Sequence, residues 1–231
     1  MSKDQIFELG VQANEKMNAG DLDGALEIAR RIGNLGADYY VSYVVSGLLI
    51  DLGNIKANEN IVREGLELLE KDFETIIRHK DLAPAAYYNR ANGYYVLSHF
   101  RRMRDPYAGY FEKKTELDEA KFDYRKALGY NIQDANRKAE IWVNLGNCFD
   151  EIGRVVEALE CYDEALKYKP DHGMALGNKG MALFHYADVT GKHERTFLLE
   201  AYSLLSKAKS EVTTESVGTF SKYLKYIQEL F

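Results

Sequence analysis

The sequence predicts an all-α fold: a right-handed superhelical solenoid of about five helical hairpins, closed by a C-terminal capping helix. The main observation is a segment that occurs three times in related forms, Asn144–Asp150 (NLGNCFD), Asn89–Tyr95 (NRANGYY) and Asn178–Phe184 (NKGMALF). A chain that repeats one helical pattern in this way builds stacked supersecondary units. The 231 residues include only three prolines, so long helices are permitted almost everywhere.

Bulk composition is that of an ordinary globular protein, with 46% apolar and 29% charged residues. The net charge of −6 excludes a uniformly basic nucleic-acid-binding surface, although it is compatible with a local basic patch. No apolar run reaches membrane-spanning length, and residues 1–10 lack the apolar core of a signal peptide. We therefore expect a cytoplasmic protein.

No catalytic, metal or cofactor site is legible in the sequence. The five histidines show no metal-ligand spacing with carboxylates, and the glycine patterns of dinucleotide and phosphate loops are absent. No serine, histidine and aspartate arrangement typical of nucleophilic catalysis can be recognised. Cys148 and Cys161 are too few for a disulfide framework, and we predict both to be small buried hydrophobes. The sequence thus predicts a chain that is not an enzyme and needs no cofactor.

The most complete copy of the repeat begins at Ala139. With Ala139 as position 1, positions 4, 7, 8, 11, 15, 20, 24, 27 and 32 are Trp142, Leu145, Gly146, Phe149, Gly153, Ala158, Tyr162, Ala165 and Pro170. This pattern closely resembles the tetratricopeptide repeat (TPR), in which W-x2-L-G-x2-Y is followed by alanines, an aromatic residue and proline over 34 residues. The resemblance covers roughly residues 3 to 210.

Each residue of the pattern has a physical reason. Positions 4, 7 and 11 fall on one face of a first helix, helix A, which we expect to form the core face. Position 8 must be small so that the second helix, helix B, can approach closely. Gly153 ends helix A and supplies the turn, and Pro170 stops helix B because it has no amide hydrogen to donate.

The small residue at position 8 sets the register of all five repeats. It is assigned to Ala13, Gly47, Ala91, Gly146 and Gly180, at spacings of 34, 44, 55 and 34 residues, which predicts insertions in repeats 2 and 3. The repeats are placed at about 6–36, 40–79, 84–134, 139–172 and 173–210, with a capping helix at about 214–231, in a single solenoid domain that spans 1–231. In repeat 2 we expect a lengthened turn around residues 53–60 (GNIKANEN).

The capping helix is predicted from one apolar stripe. Its members are Phe220, Tyr223, Leu224, Ile227, Leu230 and Phe231. Their spacing places them on one helix face, and a solenoid needs such a cap because its last repeat otherwise exposes a packing face.

Polar amides recur on the helix A face that we expect to turn away from the core. They are found at positions 6 and 9 and comprise Asn89, Asn92, Asn144, Asn147 and Asn178. An amide both donates and accepts hydrogen bonds, so such a column is a candidate ladder for an extended peptide backbone. The resemblance to TPR proteins implies a concave face lined mostly by A helices, where this peptide would lie. The alternative is that asparagine is simply common at these positions in the family.

The insertion in repeat 3, residues 99–114, combines basic and aromatic residues. Its candidate partner-binding residues are Arg101, Arg102, Arg104, Tyr107 and Tyr110. Cations interleaved with rings suit a protein partner or, given the acidic total charge with less weight, RNA or DNA. The third interpretation, which we favour, is a helix extension whose aromatic residues pack on the neighbouring repeat.

These observations predict a non-catalytic scaffold or adaptor that binds a protein or an extended peptide segment in the TPR groove. A rival prediction comes from residues 144–187, which loosely resemble the repeat arm that precedes a HEPN-type ribonuclease domain in some prokaryotic defence-related proteins. That resemblance implies the sensing or regulatory arm of a larger effector whose catalytic domain lies outside this chain. No arginine here has a histidine at the R-x4–6-H spacing of HEPN nucleases.

Overall fold

The computed structural model of the protein describes residues 2–36, 38–108, 115–190, 195–212 and 214–231, without the side chains of 214 and 215. Within these ranges the secondary structure is entirely helical, which confirms the predicted all-α helical-repeat class. The helices are α1 (Lys3–Asn18), α2 (Leu22–Gly33), α3 (Tyr39–Ile55), α4 (Glu59–Ile76), α5 (Ala83–Arg104), α6 (Glu116–Leu128), α7 (Ala135–Asp150), α8 (Val155–Tyr168), α9 (Gly173–Val189), α10 (Arg195–Glu211) and α11 (Thr214–Glu229).

The contacts divide the chain into two compact units, Met1–Tyr130 and Asn131–Phe231. The first unit contains the hairpins α1–α2, α3–α4 and α5–α6, and each hairpin packs against the next one. Its core lies between the helices and includes Ile32, Leu49 and Leu69, each at most 1% exposed. The predicted single domain over 1–231 stays a prediction.

The second unit contains the hairpins α7–α8 and α9–α10 and the helix α11. Helix α9 contacts both α7 and α11, and α11 also packs on α10. Phe220 and Ile227 of α11 are 1% and 0% exposed. A Cβ atom on Gly177 would lie 2.0 Å from the Phe220 ring, so only glycine leaves room for that ring. Helix α11 therefore closes the apolar face of α9 and α10.

The stripe predicted for this helix is correct over only part of its length. Tyr223 and Leu224 pack partly buried against the core. Leu230 and Phe231, in contrast, are 47% and 57% exposed. The expectation that both would join the packing face is wrong, because α11 ends at Glu229 and they lie beyond it.

Repeat 4 has the geometry that its sequence pattern predicts. A Cβ on Gly146 would lie 2.6 Å from the Tyr162 ring, which explains the small residue at position 8. Gly153 has φ +73°, a left-handed conformation that favours glycine. Helix α8 ends at Tyr168, two residues before Pro170. Trp142 differs from expectation, because it is only partly buried while Leu145 and Phe149 belong to the core.

Repeat 2 departs from the predicted register by one residue. A Cβ on Gly65 would contact the carbonyl oxygen of Ser46, and Ser46 is 0% exposed, as a position 8 residue should be. A Cβ on Gly47 would instead meet the Asn89 side chain of the next A helix. The expected long turn at 53–60 is also wrong: helix α3 continues to Ile55, and the extra residues lengthen both helices of the hairpin.

Candidate functional site

Two of the predicted groove asparagines are bonded to tyrosines of their own hairpins. The Tyr162 hydroxyl donates to Oδ1 of Asn147 over 3.0 Å. In repeat 3, at the equivalent positions, the Tyr124 hydroxyl donates to Oδ1 of Asn92 over 2.7 Å. Because both tyrosines are at most 1% exposed, the position 9 amide satisfies a hydroxyl that would otherwise be buried without a partner. Sequence reasoning missed this bond, although the pairing of Asn at position 9 with Tyr at position 24 occurs in both repeats.

The second unit extends this contact from one repeat to the next. Nδ2 of Asn178 donates to Oδ1 of Asn147 over 2.7 Å, so this oxygen accepts two hydrogen bonds. Asn178 is only 9% exposed, which corrects the expectation that its side chain faces away from the packed interior. Asn144 and Asn89 are partly exposed on α7 and α5.

Position 7, predicted as a core position, carries a buried ion pair in repeat 3. Nε and Nη2 of Arg90 donate to the two carboxylate oxygens of Asp123 over 2.6 and 2.9 Å. The Asp123 side chain is 0% exposed. The guanidinium carbon of Arg90 also lies 3.4 Å from the centre of the Phe73 ring. The core face of α5 is thus bridged to α6 by a fixed, bidentate pair.

Repeat 5 uses a cation at the same position. Nζ of Lys179 lies 2.9 Å from Oδ1 of Asp163 on α8 and 3.1 Å from Oε1 of Glu200 on α10. Its side chain is 16% exposed. The expectation of an apolar position 7 is therefore wrong in repeats 3 and 5, where acidic residues on B helices replace apolar packing. Aligning Arg90 and Lys179 with Leu145 in the sequence could have revealed this substitution.

In repeat 2, position 7 holds a short apolar residue, Val45, and a cleft of ≈ 520 Å³ lies beside it. Val45 and Leu49 contribute its buried apolar part, between α2 and α4. Arg30 and Glu64 stand at its wall, with Nη2 and Oε2 3.5 Å apart. The cleft has both signs of charge on its wall and no cation at position 7.

The basic insertion is partly occupied by ion pairs within the chain. Nη1 of Arg101 lies 3.0 Å from Oε2 of Glu116. Arg104 bonds Glu59, which also pairs with Arg63 at 2.6 Å. The hydrogen bond from Arg104 lowers the pKa of Glu59 below its ordinary value, against the opposing effect of desolvation. These pairs fix the end of the long helix α5 to the starts of α4 and α6.

The remaining predicted residues of the insertion differ in exposure. Arg102 is partly buried, whereas Tyr107 is 75% exposed and the neighbouring Met103 is 71% exposed. Tyr110 lies outside the described residues. The favoured interpretation as a helix extension agrees with helix α5, which continues to Arg104, although Tyr107 does not pack into a core.

A cluster that the sequence did not indicate lies on α7, α9 and α11 of the second unit. The rings of Phe184 and Tyr223 are 5.3 Å apart and nearly perpendicular, and those of His185 and Tyr223 are 5.5 Å apart. Nε2 of His185 lies 2.9 Å from the Tyr223 hydroxyl. Desolvation raises the pKa of the Asp150 carboxyl above its ordinary value, and the nearby His185 opposes this shift. Desolvation also raises the pKa of Tyr223, and the charge of Asp150 adds to that effect.

Among the residues that the structure describes, no three histidine, cysteine or acidic side chains are grouped so that they could hold a metal ion. Cys148 and Cys161 are both buried, as predicted. No described helix is long and apolar enough to cross a membrane.

Comparisons with known proteins agree with the repeat. Residues 139–172 match the sequence model of the tetratricopeptide repeat. A comparison with curated proteins gives no match. The fold is similar to that of a thermophilic TPR protein of Thermus thermophilus, with a TM-score of 0.67 and 18% identity over 96% of this chain and 99% of that one. It is also similar to MamA MSR-1 C2, with a TM-score of 0.53 and 16% identity over 88% of this chain and 98% of that one. The chain thus carries a tetratricopeptide repeat at 139–172, within a fold like that of TPR proteins.

Proposed function

We propose that the chain is a non-catalytic, cytoplasmic scaffold or adaptor that binds a protein or an extended peptide segment on its A helices. The observation that carries this proposal is the row of A helices in the second unit. Helices α7, α9 and α11 are neighbours, and they carry amides, aromatic rings and an accessible carboxylate instead of a uniformly apolar packing face. Such a mixture suits recognition of a peptide backbone and its side chains.

The hydrogen bonds suggest how an asparagine would bind. Oδ1 of Asn147 already accepts from Tyr162 and Asn178, so the amide nitrogen of Asn147 is the group suited to a carbonyl of the partner. Asn144 lies one turn earlier on the same helix. We also propose Asn89 and Asn92 of the first unit as contacts for the partner.

The insertion is proposed as a second contact, through Arg101, Arg102, Arg104, Tyr107 and Tyr110. A partner acid there must replace Glu116 or Glu59 as the ion-pair partner, so the net gain from each exchange is small. The exposed Tyr107 ring offers the larger apolar contact.

A selection experiment tests the proposal. The whole chain is immobilised, peptides are selected from a random library, and the winners are titrated against Asn144→Ala, with Asn131→Ala as the control in an exposed loop. We expect enriched peptides whose affinity falls roughly 2- to 10-fold in Asn144→Ala, the value of one hydrogen bond, and is unchanged in the control. Failure to enrich any peptide, or equal affinity for both variants, contradicts the proposal.

The non-catalytic part has its own test. The purified chain should show no ribonuclease, protease or nucleotidase turnover. Turnover that co-purifies with the chain and is lost in a folded point variant would overturn it.

A further inference from the structure

We propose that the cleft of repeat 2 binds the side chain of a glutamine that belongs to a protein partner. The cleft lies between the B helices α2 and α4, and the core face of α3 contributes its buried apolar part. It contains none of the asparagines of the A helices, so this site goes beyond the function proposed above and stands or falls without it.

The same place in repeat 5 is filled by a long side chain of the protein itself. Lys179, at position 7, extends from α9 and brings Nζ to Asp163 of α8 at 2.9 Å and to Glu200 of α10 at 3.1 Å. The lysine therefore spans the gap between two successive B helices. Its side chain is only 16% exposed, so its methylene groups are covered and its charged end is paired.

Repeat 2 has equivalent B-helix positions but a short residue between them. With Ala13 and Gly146 at position 8, Arg30 and Asp163 are both position 25 of the preceding B helix. Glu64 and Glu200 also correspond, since each comes directly before the small helix B residue that lies against position 8. Position 7 is Val45, whose side chain ends at two methyl groups. A ligand with an aliphatic stem and a polar end would thus occupy the cleft as the lysine occupies its counterpart.

The charges on the wall determine the polar end of that ligand. Nη2 of Arg30 and Oε2 of Glu64 are 3.5 Å apart, which is longer than an ordinary hydrogen bond. Their side chains are 56% and 48% exposed, so a ligand can reach both. A primary amide accepts a hydrogen bond from the guanidinium through its oxygen and donates one to the carboxylate through its nitrogen. One neutral group therefore satisfies both walls.

Other side chains fit less well. A basic end would meet the like charges of Arg30 and Lys71, and an acidic end those of Glu64 and Glu67, all of which line the cleft. A purely apolar side chain would take water from these charged groups without replacing its hydrogen bonds. Glutamine has two methylene groups for the apolar part of the cleft and an amide for its wall.

Amide-blocked amino acids test this preference directly. The Nα-acetyl N-methylamides of glutamine, glutamate, lysine and norleucine are titrated into the ¹⁵N-labelled whole chain, and amide chemical shifts are followed. We expect saturable shifts at Arg30, Val45 and Glu64 with the glutamine compound, at an affinity at least about 3-fold above that of the other three. No saturable shift with the glutamine compound, or equal affinity for norleucine, would overturn the proposal.

Free glutamine distinguishes the two sources of the same side chain. It carries a charged ammonium and a charged carboxylate, which a residue within a peptide lacks. We expect it to bind no more tightly than the blocked compound. Tighter binding of free glutamine would identify a free amino acid as the ligand and refute the side chain of a partner.

Variants close the cleft or remove one wall. Arg30→Asp/Val45→Lys copies the ion pairs of Lys179 and should abolish glutamine binding, with circular dichroism as the folding control. Arg30→Ala should weaken binding about 3- to 10-fold, whereas Arg31→Ala, at the next and exposed position of α2, should leave it unchanged. The two alanine variants decide the matter even where the double variant does not fold, because equal affinity of both for glutamine is contrary to the proposal.

Discussion

The hairpins α5–α6 and α7–α8 share the same hydrogen bond between their two helices but differ in the chemistry of positions 7 and 23. Both join an asparagine at position 9 to a tyrosine at position 24, Asn92 to Tyr124 and Asn147 to Tyr162. At positions 7 and 23, however, α5–α6 has a partly buried arginine paired with a buried aspartate, whereas α7–α8 has leucine and cysteine. Both hairpins therefore keep the small and hydrogen-bonding positions of the repeat, and positions 7 and 23 hold an ionic pair in one hairpin and an apolar pair in the other.

The largest expected effect comes from breaking that pair. Arg90→Leu leaves the carboxylate of Asp123 buried without its bidentate partner and should lower the free energy of unfolding by about 3–5 kcal/mol. Arg90→Leu/Asp123→Cys copies the chemistry of α7–α8 and should recover most of the loss. Urea denaturation measures both variants. A double variant no more stable than the single one would show that the two hairpins are not interchangeable at these positions.

The next largest effect on stability is expected at position 4, which is Trp142 in repeat 4 and Tyr87 in repeat 3. A fully buried tryptophan costs about 3–5 kcal/mol when replaced by alanine. Because Trp142 is only partly buried, we expect Trp142→Ala to cost about 2 kcal/mol. Tyr87 packs edge-on to Phe73 at 5.2 Å, and Tyr87→Ala should have a cost of similar size. Thermal unfolding followed by circular dichroism measures both, and an unchanged melting temperature for Trp142→Ala would contradict the assigned register.

The shared asparagine–tyrosine bond should contribute equally in the two hairpins. Tyr124→Phe and Tyr162→Phe each remove one buried hydroxyl and should cost about 1 kcal/mol. Tyr168→Phe, at an exposed tyrosine of α8, is the control and should change nothing. Chemical denaturation of the three variants decides this, and a loss in only one hairpin would mean that the bond is not a common element of the repeat.

The smallest effect on stability is expected at Glu59, which pairs with Arg104 in the part of α5 that extends beyond its counterpart α7. Arg104 and Arg63 lower the pKa of Glu59, so its pairs stabilise the fold above the unfolded pKa of about 4.5. This contribution is lost as pH falls through the depressed folded-state pKa. Glu59→Gln should therefore reduce stability slightly at about pH 7 and reduce the acid sensitivity of unfolding below about pH 4.5. Denaturation midpoints of wild type and Glu59→Gln, taken from about pH 7 to about pH 3, measure this pH dependence. Midpoints that fall in parallel with pH in the two proteins would argue against a stabilising pair of Glu59 with Arg104 and Arg63.

Sequence periodicity was sufficient for the elements whose residues act locally. Gly153 and Pro170 determine a turn and a helix end through their own backbone properties, so both were predictable. Repeat 2 was misread because Ser46 and Gly47 are both small, and only the contact of Gly65 with Ser46 distinguishes them. The extra residues of that repeat form helix, since nothing in GNIKANEN forces the chain to leave it before Ile55.

In the candidate sites, too, local patterns could be predicted from the sequence, whereas contacts between residues far apart in the chain could not. The sequence identified asparagines on the A helices, but it could not show that Asn147 is already engaged by Tyr162 and Asn178, since the latter comes from the next repeat. It indicated a basic insertion, and the structure pairs Arg101 with Glu116. The role of these residues in binding stays a prediction.

The sequence by itself determined the helical repeat, most of its small positions and the presence of a capping helix, because each depends on spacing along one or two helices. The tertiary structure alone decided which polar groups meet. Asp150, His185 and Tyr223 come from three different helices, and Arg90 meets Asp123 only after α6 folds back on α5. Ion pairs and hydrogen bonds act over a few ångströms between residues far apart in sequence, so periodicity along the chain carries no record of them.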